Sequence, residues 1–287
     1  MQDSDTDRRI ATQVHNFVLE GFSPRFGELE ETFEANPAWS KLTALGTQLW
    51  LDTGSIADAE ATWSREFAAL TTNNTLLNRE VQEGTYDELI PRADELLSQV
   101  GQMDERRRRL EIAFILNARH GLRLVERFDA KVSVEEHTDL AGDLDAAVSY
   151  ARRYHAICPE RFIVKIPFTP AGLLATRKLS AEGIPVNHTL GFSARQNYVI
   201  ARLARPAYVN VFLGRLNSFT ADNDLGDGAY VGERATLSSQ AVLRQLHRQH
   251  DVATKQIAAS FRAGPQVRDL AGVDVMTIPP KIAREFI

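Results

Sequence analysis

The feature that most constrains the fold is an alternation: short apolar stretches bounded by turn residues recur eight times, with a helical pattern between each and the next. The strand stretches are 49–52, 69–74, 130–135, 161–166, 185–189, 207–213, 252–258 and 273–277. Helical spacing follows Gly54 to about Ala69, then covers 75–83, 86–100, 104–120, 140–155, 170–182, 193–204, 235–249 and 264–270. Eight strands alternating with helices over 287 residues predict one α/β domain, a single parallel (β/α)8 barrel. Ile10, Val14, Phe17 and Val18 recur at helical steps, as do Phe26, Leu29 and Phe33 after the Ser23-Pro24 break, and no strand accompanies them. Residues 1–45 therefore read as an N-terminal helical extension on a barrel spanning 46–287, with no linker or internal repeat dividing the chain.

Charge and cysteine usage narrow the function classes. The net charge of −5 argues against a basic nucleic-acid surface and favours small-molecule partners. A single cysteine, Cys158, allows neither an intrachain disulfide nor a multi-cysteine zinc site, which fits a reducing cytoplasm. The acidic, polar start Met1-Gln2-Asp3 is unlike a signal peptide, and no apolar run approaches the ~18 residues of a membrane helix. No His-Glu-x-x-His pattern occurs, so neither metal nor cofactor is expected. The run Arg106 to Arg109 on a helix reads as a solvated outer face, and Asp222, Asp224 and Asp227 read as a flexible turn, lacking the terminal glutamate of a calcium loop.

One polar residue stands out inside an apolar strand, Lys165 in Phe162-Ile163-Val164-Lys165-Ile166-Pro167. A lysine there either reaches solvent at the strand end or sits in an interior cavity, where a desolvated amine can attack a carbonyl. Barrel active sites lie at the carboxyl ends of the strands, and residues two apart on a strand share a face. Asp52, Asn73, Glu135 and Lys165 each fall at or near a different strand end, and Asn187 with Thr189 form an i, i+2 pair on the fifth strand. Each alone reads as a turn former or cap; together they read as a site.

The stretches Leu49-Trp50-Leu51-Asp52-Thr53, Thr71-Thr72-Asn73, Val132-Ser133-Val134-Glu135 and Val164-Lys165-Ile166-Pro167 resemble, in order, the transaldolase family of class I Schiff-base enzymes. So do Glu182-Gly183-Ile184-Pro185-Val186-Asn187-His188-Thr189-Leu190, Phe212-Leu213-Gly214-Arg215 and Ala259-Ser260-Phe261-Arg262. The resemblance implies a pentose phosphate pathway transferase that moves a dihydroxyacetone unit between sugar phosphates, with Lys165 as imine-forming nucleophile. It implies Glu135 as general acid/base through a water held by Thr189, Asp52 as base toward the donor C4 hydroxyl, and Asn73 and Asn187 as donor-positioning groups. Arg215, Ser260 and Arg262 match phosphate-binding positions, where forked guanidinium donors, the serine and the loop's backbone amides suit a phosphate. Related fructose-6-phosphate aldolases carry a glutamine where Glu135 stands and a tyrosine where Phe212 stands, so this chain has the transferase-like pair.

Three departures accompany the resemblance. Asn74 replaces a proline, Asn210 stands in the site where a serine is common, and the family's longer C-terminal helical segment has no counterpart after Lys281. That segment's absence bears on acceptor binding, water exclusion and the contacts of a homo-oligomer. Two alternatives stay open: an aldolase releasing free dihydroxyacetone, and a catalytically silent sugar-phosphate-binding barrel.

Overall fold

The computed structural model describes residues 5–23, 26–27 and 33–287. Among these, eight strands form: β1 (Gln48–Asp52), β2 (Phe67–Thr71), β3 (Lys131–Glu135), β4 (Phe162–Pro167), β5 (Val186–Thr189), β6 (Tyr208–Phe212), β7 (Lys255–Ala259) and β8 (Val275–Ile278). Each pairs in parallel with its neighbours in sequence, and β1 pairs with β8, so the sheet closes into the expected (β/α)8 barrel. Helices α1 (Asp5–Leu19) and α2 (Pro37–Ala44) precede β1, and α3 (Ile56–Glu60) joins β1 to β2. Between β2 and β3 lie α4 (Asn74–Gln82), α5 (Leu89–Val100) and α6 (Glu105–Phe128). A single α-helix follows each of β3, β4 and β5: α7 (Leu144–Ile157, after a 3-10 turn at Thr138–Leu140), α8 (Pro170–Ala181) and α9 (Ala194–Ala204). β6 is followed by α10 (Leu213–Asp222) and α11 (Val231–His250), β7 by α12 (Gly264–Asp269) and β8 by α13 (Pro280–Phe286). No described helix is long and apolar enough to cross a membrane.

The two-residue period of the strands separates two cores. Val132, Val134, Phe162, Val164, Ile166 and Val186 belong to the large cluster packed against the helices. Trp50, Ala69, Ile163, Tyr208, Ile257 and Val275 fill the barrel interior, where Trp50 meets Tyr208 edge-on with ring centres 4.7 Å apart. Two residues further along the same strands stand Asp52, Thr71, Lys165, Asn210, Ala259 and Thr277. The floor of the barrel is thus apolar and the layer above it mostly polar, and Lys165 lies in that upper layer.

Several boundaries differ from the sequence expectation, each for a local reason. The helix after Gly54 ends at Glu60, and β2 starts at Phe67 and stops at Thr71; Asn73 leaves the strand because its side chain accepts the Leu76 N–H and caps α4. Helix α6 runs past Gly121 to Phe128, since that glycine is where the helix touches β4: a Cβ there would lie 2.8 Å from the Phe162 ring. Helix α10, expected as loop, starts directly after β6, and its Gly214 lets the backbone approach Ser260, whose carbonyl oxygen would be 2.1 Å from a Cβ. Residues 252–254 precede β7 rather than belonging to it, and α13 begins at Pro280, a helix-starting position for proline. Phe26 lies in a turn and Phe33 in irregular chain stacked on Phe128, while Leu29 falls outside the described residues. Asp222 ends α10 and Asp227 accepts the Ala229 N–H, as a turn requires.

Helix α1 buries Ile10, Val14 and Val18 and packs on α5, α6 and α7. Arg107 departs from the outer-face reading, because it binds Glu111, a fully buried carboxylate on α6. Glu111 Oε1 also accepts from the Tyr150 hydroxyl at 2.8 Å and from Arg153 at 2.9 Å, and Arg107 reaches Asp7 of α1 at 3.3 Å. Burial alone would raise the Glu111 carboxyl; the Arg153 and Arg107 guanidiniums and the Tyr150 hydroxyl outweigh it and hold the group below its ordinary value.

Two buried histidines make the fold acid-sensitive. His188 on β5 pairs with the Thr176 hydroxyl at 2.9 Å against the Phe168 ring, and burial pushes it down to about 3. His120 on α6 pairs with Tyr86 at 2.7 Å, and burial, with Arg123 nearby, pushes it down to about 4. The native state keeps both neutral, so stability is full above the unfolded value near 6.5 and falls as pH drops below it. Each histidine costs about 1.4 kcal/mol per pH unit in that window. A His188→Gln chain is expected to lose about 2 kcal/mol less than its parent between pH 7 and pH 5, read from urea midpoints.

Candidate active site

The upper polar layer opens into a cavity of about 150 Å³ at the carboxyl ends of the strands. Nine of the eleven residues predicted for the site line it: Asp52, Asn73, Lys165, Asn187, Asn210, Phe212, Arg215, Ser260 and Arg262. The other two touch those that do. Glu135 Oε1 lies 3.2 Å from Lys165 Nζ, and the Thr189 hydroxyl accepts from Asn210 Nδ2 at 2.9 Å.

Strand pairing explains the lysine's neighbours. Glu135 of β3, Lys165 of β4 and Asn187 of β5 occupy one row, since Glu135 is registered with Lys165 and Lys165 with Asn187. Lys165 is only 7% exposed, so the strand-end reading in which it reaches solvent is excluded. Its ammonium also points at the Thr72 carbonyl oxygen, 3.4 Å away.

Asp52 approaches from β1. Burial raises its carboxyl above the ordinary value, and the charge of Lys165 and a 2.7 Å hydrogen bond from the Thr71 hydroxyl only partly offset this. Thr71 in turn meets the Thr277 hydroxyl at 2.6 Å and, with its own hydrogen on Asp52, accepts there. A buried carboxylate that is costly to keep charged, in the same cavity as an amine, is suited to taking up a proton.

The amides form their own chain. Asn187 Nδ2 donates to Ser133 Oγ at 3.1 Å, and Asn210 Nδ2 donates to both Asn187 Oδ1 at 3.4 Å and Thr189 Oγ1. Asn210, the residue standing where a serine is common, thus ties β6 to β5. Asn73 has its Oδ1 committed to the α4 cap, leaving Nδ2 as the end that can meet a ligand.

Two guanidiniums, Arg215 at the start of α10 and Arg262 after β7, stand at the side of the cavity facing away from β3, with Ser260 between them in sequence position and in a left-handed backbone conformation (φ 68°). Arg215 lies over the Phe212 ring, 5.2 Å from its centre. The loop's backbone amides do not complete this side as expected: those of Arg262 and Ala263 donate to Gln266 Oε1 at 2.7 and 3.1 Å. Gln266 Nε2 binds buried Glu233 at 2.6 Å, which also accepts from Asn217. These two amides shape the loop, while the side chains of Arg215, Ser260 and Arg262 line the cavity.

Sequence reasoning missed the supports of the site: Thr71, Ser133, Thr277, Gln266 and Asn74. Ser133 sits two residues before Glu135, and Thr71 two before Asn73, so the strand period could have found them. Asn74 donates its backbone N–H to Glu135 Oε2 at 3.0 Å and its side-chain amide to the same oxygen at 3.1 Å; no spacing rule signals such a contact.

Residues 49–287 match the family described as Transaldolase/Fructose-6-phosphate aldolase. A transaldolase of Xanthomonas euvesicatoria pv. vesicatoria (strain 85-10) is 30% identical over 222 residues, covering 75% of this chain and 68% of that protein. A transaldolase of Photorhabdus laumondii subsp. laumondii is 29% identical over 257 residues, covering 86% of this chain and 78% of its own length. With the matched region spanning the whole barrel and every strand-end residue named above, the chain belongs to the transaldolase/fructose-6-phosphate aldolase family.

Proposed function

We propose that this chain is a transaldolase, a metal-independent cytoplasmic transferase of the pentose phosphate pathway that moves a dihydroxyacetone unit through an imine on Lys165. The observation that carries the reading is the buried Lys165 amine, 3.2 Å from one carboxylate and in the same cavity as a second whose carboxyl is raised by burial. The donor is a ketose phosphate such as sedoheptulose 7-phosphate or fructose 6-phosphate, its phosphate held by Arg215, Arg262 and Ser260.

Lys165 attacks the donor carbonyl, and loss of water leaves an iminium; Glu135 moves the protons of this exchange, through a water beside Thr189. Asp52 removes the C4 hydroxyl proton, the C3–C4 bond breaks, its electron pair passes to the iminium and the aldose phosphate leaves. The resulting enamine stays bound, with Asn73 and Asn187 on its hydroxyls. Phe212 offers no hydroxyl to protonate it, so it waits for an aldose phosphate acceptor, attacks its aldehyde, and hydrolysis then frees Lys165.

Incubation with fructose 6-phosphate, with and without erythrose 4-phosphate, tests the reading. Sedoheptulose 7-phosphate should form with the acceptor, and no free dihydroxyacetone without it. Ketone release at a comparable rate without acceptor would mark an aldolase, and no turnover with either would mark a binding barrel.

A further inference from the structure

Asn74, the first residue of α4, turns its backbone N–H and its side-chain NH2 on the end of β3. Its backbone N–H and its Nδ2 both donate to Glu135 Oε2, at 3.0 and 3.1 Å, and Nδ2 also donates to the Glu136 backbone carbonyl at 3.0 Å. Its Oδ1 accepts from Asn117 Nδ2 at 3.2 Å. Turning the amide over would set Oδ1 against two oxygens and Nδ2 against a donor, so the orientation is fixed by its partners. Asn117 is itself buried on α6 and anchored to the Ala113 carbonyl at 3.3 Å.

The two oxygens of Glu135 are therefore unequal. Oε2 receives two N–H donors from Asn74, whereas Oε1 faces Lys165 Nζ. A proton on Oε2 would point into those donors and cost both hydrogen bonds; a proton on Oε1 would cost neither. The charged groups around Glu135 are few. Lys165 approaches from β4 and Asp52 from β1, while α4 and α6 present only the neutral amides of Asn74 and Asn117. Glu136, next in the chain, is 3% exposed with its Oε1 unpartnered, and burial raises it well above the ordinary value.

We propose that Asn74 is a positioning residue that keeps Glu135 Oε2 an acceptor and confines the exchangeable proton of this carboxyl to Oε1, the oxygen facing Lys165. Glu135 then gives and takes protons at one atom, always on the side of the cavity where the imine forms. Asn74 acts through Glu135 and does not itself line the cavity.

The inference rests on the proposed transferase reading, and its test is a ratio of variant to parent. Turnover by the parent chain decides that reading; the ratio decides this one. Asn74→Asp keeps the volume but turns the side-chain donor into an acceptor, and Asn74→Ala removes the side chain while keeping the backbone N–H. Turnover number is expected to fall about 10-fold in Asn74→Ala and further in Asn74→Asp, with KM for fructose 6-phosphate within about twofold. The acid limb of kcat/KM should move up by about one pH unit in Asn74→Ala, because a charge-assisted hydrogen bond to the carboxylate is gone. If the alanine chain does not fold, Asn117→Ala carries the same test through a smaller shift in the same direction. A fall in turnover with an unmoved acid limb, or an Asn74→Asp chain equal to its parent, would overturn the proposal.

Discussion

A Lys165→Met chain is expected to form no adduct on borohydride trapping with fructose 6-phosphate and to lose turnover by at least about 10⁴-fold, since no other group in the cavity can make the covalent bond. Methionine fills nearly the same volume, and Asn74 still supplies two donors to Glu135, so the fold should survive. Arg215 and Arg262 are untouched, and a sugar phosphate should still bind. Lys165→Arg sharpens the result. It restores a cation beside Glu135 but not a nucleophilic amine, so a charge-only role predicts recovery and the imine predicts none. Intact-mass measurement after reduction reads the adduct directly. A parent chain that gains mass at a residue other than Lys165 would sink the assignment.

The second large effect lies far from the cavity. Glu111→Ala should destabilise the chain by about 3–5 kcal/mol, because it strands Arg153, which is mostly buried, together with Arg107 and the Tyr150 hydroxyl. Arg153 lies over the Phe114 ring, 4.2 Å from its centre, and cannot swing to water without breaking that stack. Adding Arg153→Met to Glu111→Leu should recover most of the loss, since the two most buried charges then disappear together while the more exposed Arg107 keeps Asp7. Denaturant midpoints with unchanged slopes check both chains. Turnover per folded molecule should hold, as neither residue touches the cavity.

The strand-end chemistry was legible in the sequence because the barrel turns chain position into spatial position. An eightfold alternation fixes which end of each strand carries function, and a two-residue period fixes which face, so Asp52, Lys165 and Asn187 could be brought together without coordinates. The resemblance supplied the phosphate side, where Arg215 and Arg262 have no spacing that links them. What stayed hidden was whatever depends on one side chain choosing among equal partners. Asn74 was visible only as a residue unlike the expected proline, and its grip on Glu135 depends on a backbone N–H that a proline lacks and on a side-chain amide. Gln266 took the amides that the phosphate loop was expected to offer. The helix expected to stop at 120 and the strand expected to stop at 213 both end before a glycine that in fact admits a neighbour, which one sequence does not distinguish from a glycine that ends an element.

The row Glu135, Lys165 and Asn187 carries one more consequence. These three side chains hang from adjacent rungs of a single peptide ladder, so the reach between amine, carboxylate and amide is set by the strand spacing of about 4.8 Å and owes little to the loops above. The two cavity guanidiniums come from other parts of the chain, the start of α10 and the segment after β7. Under the proposed reading, segments after β6 and β7 can therefore drift toward a new acceptor without moving the row, provided the start of α4, which holds Glu135, is kept.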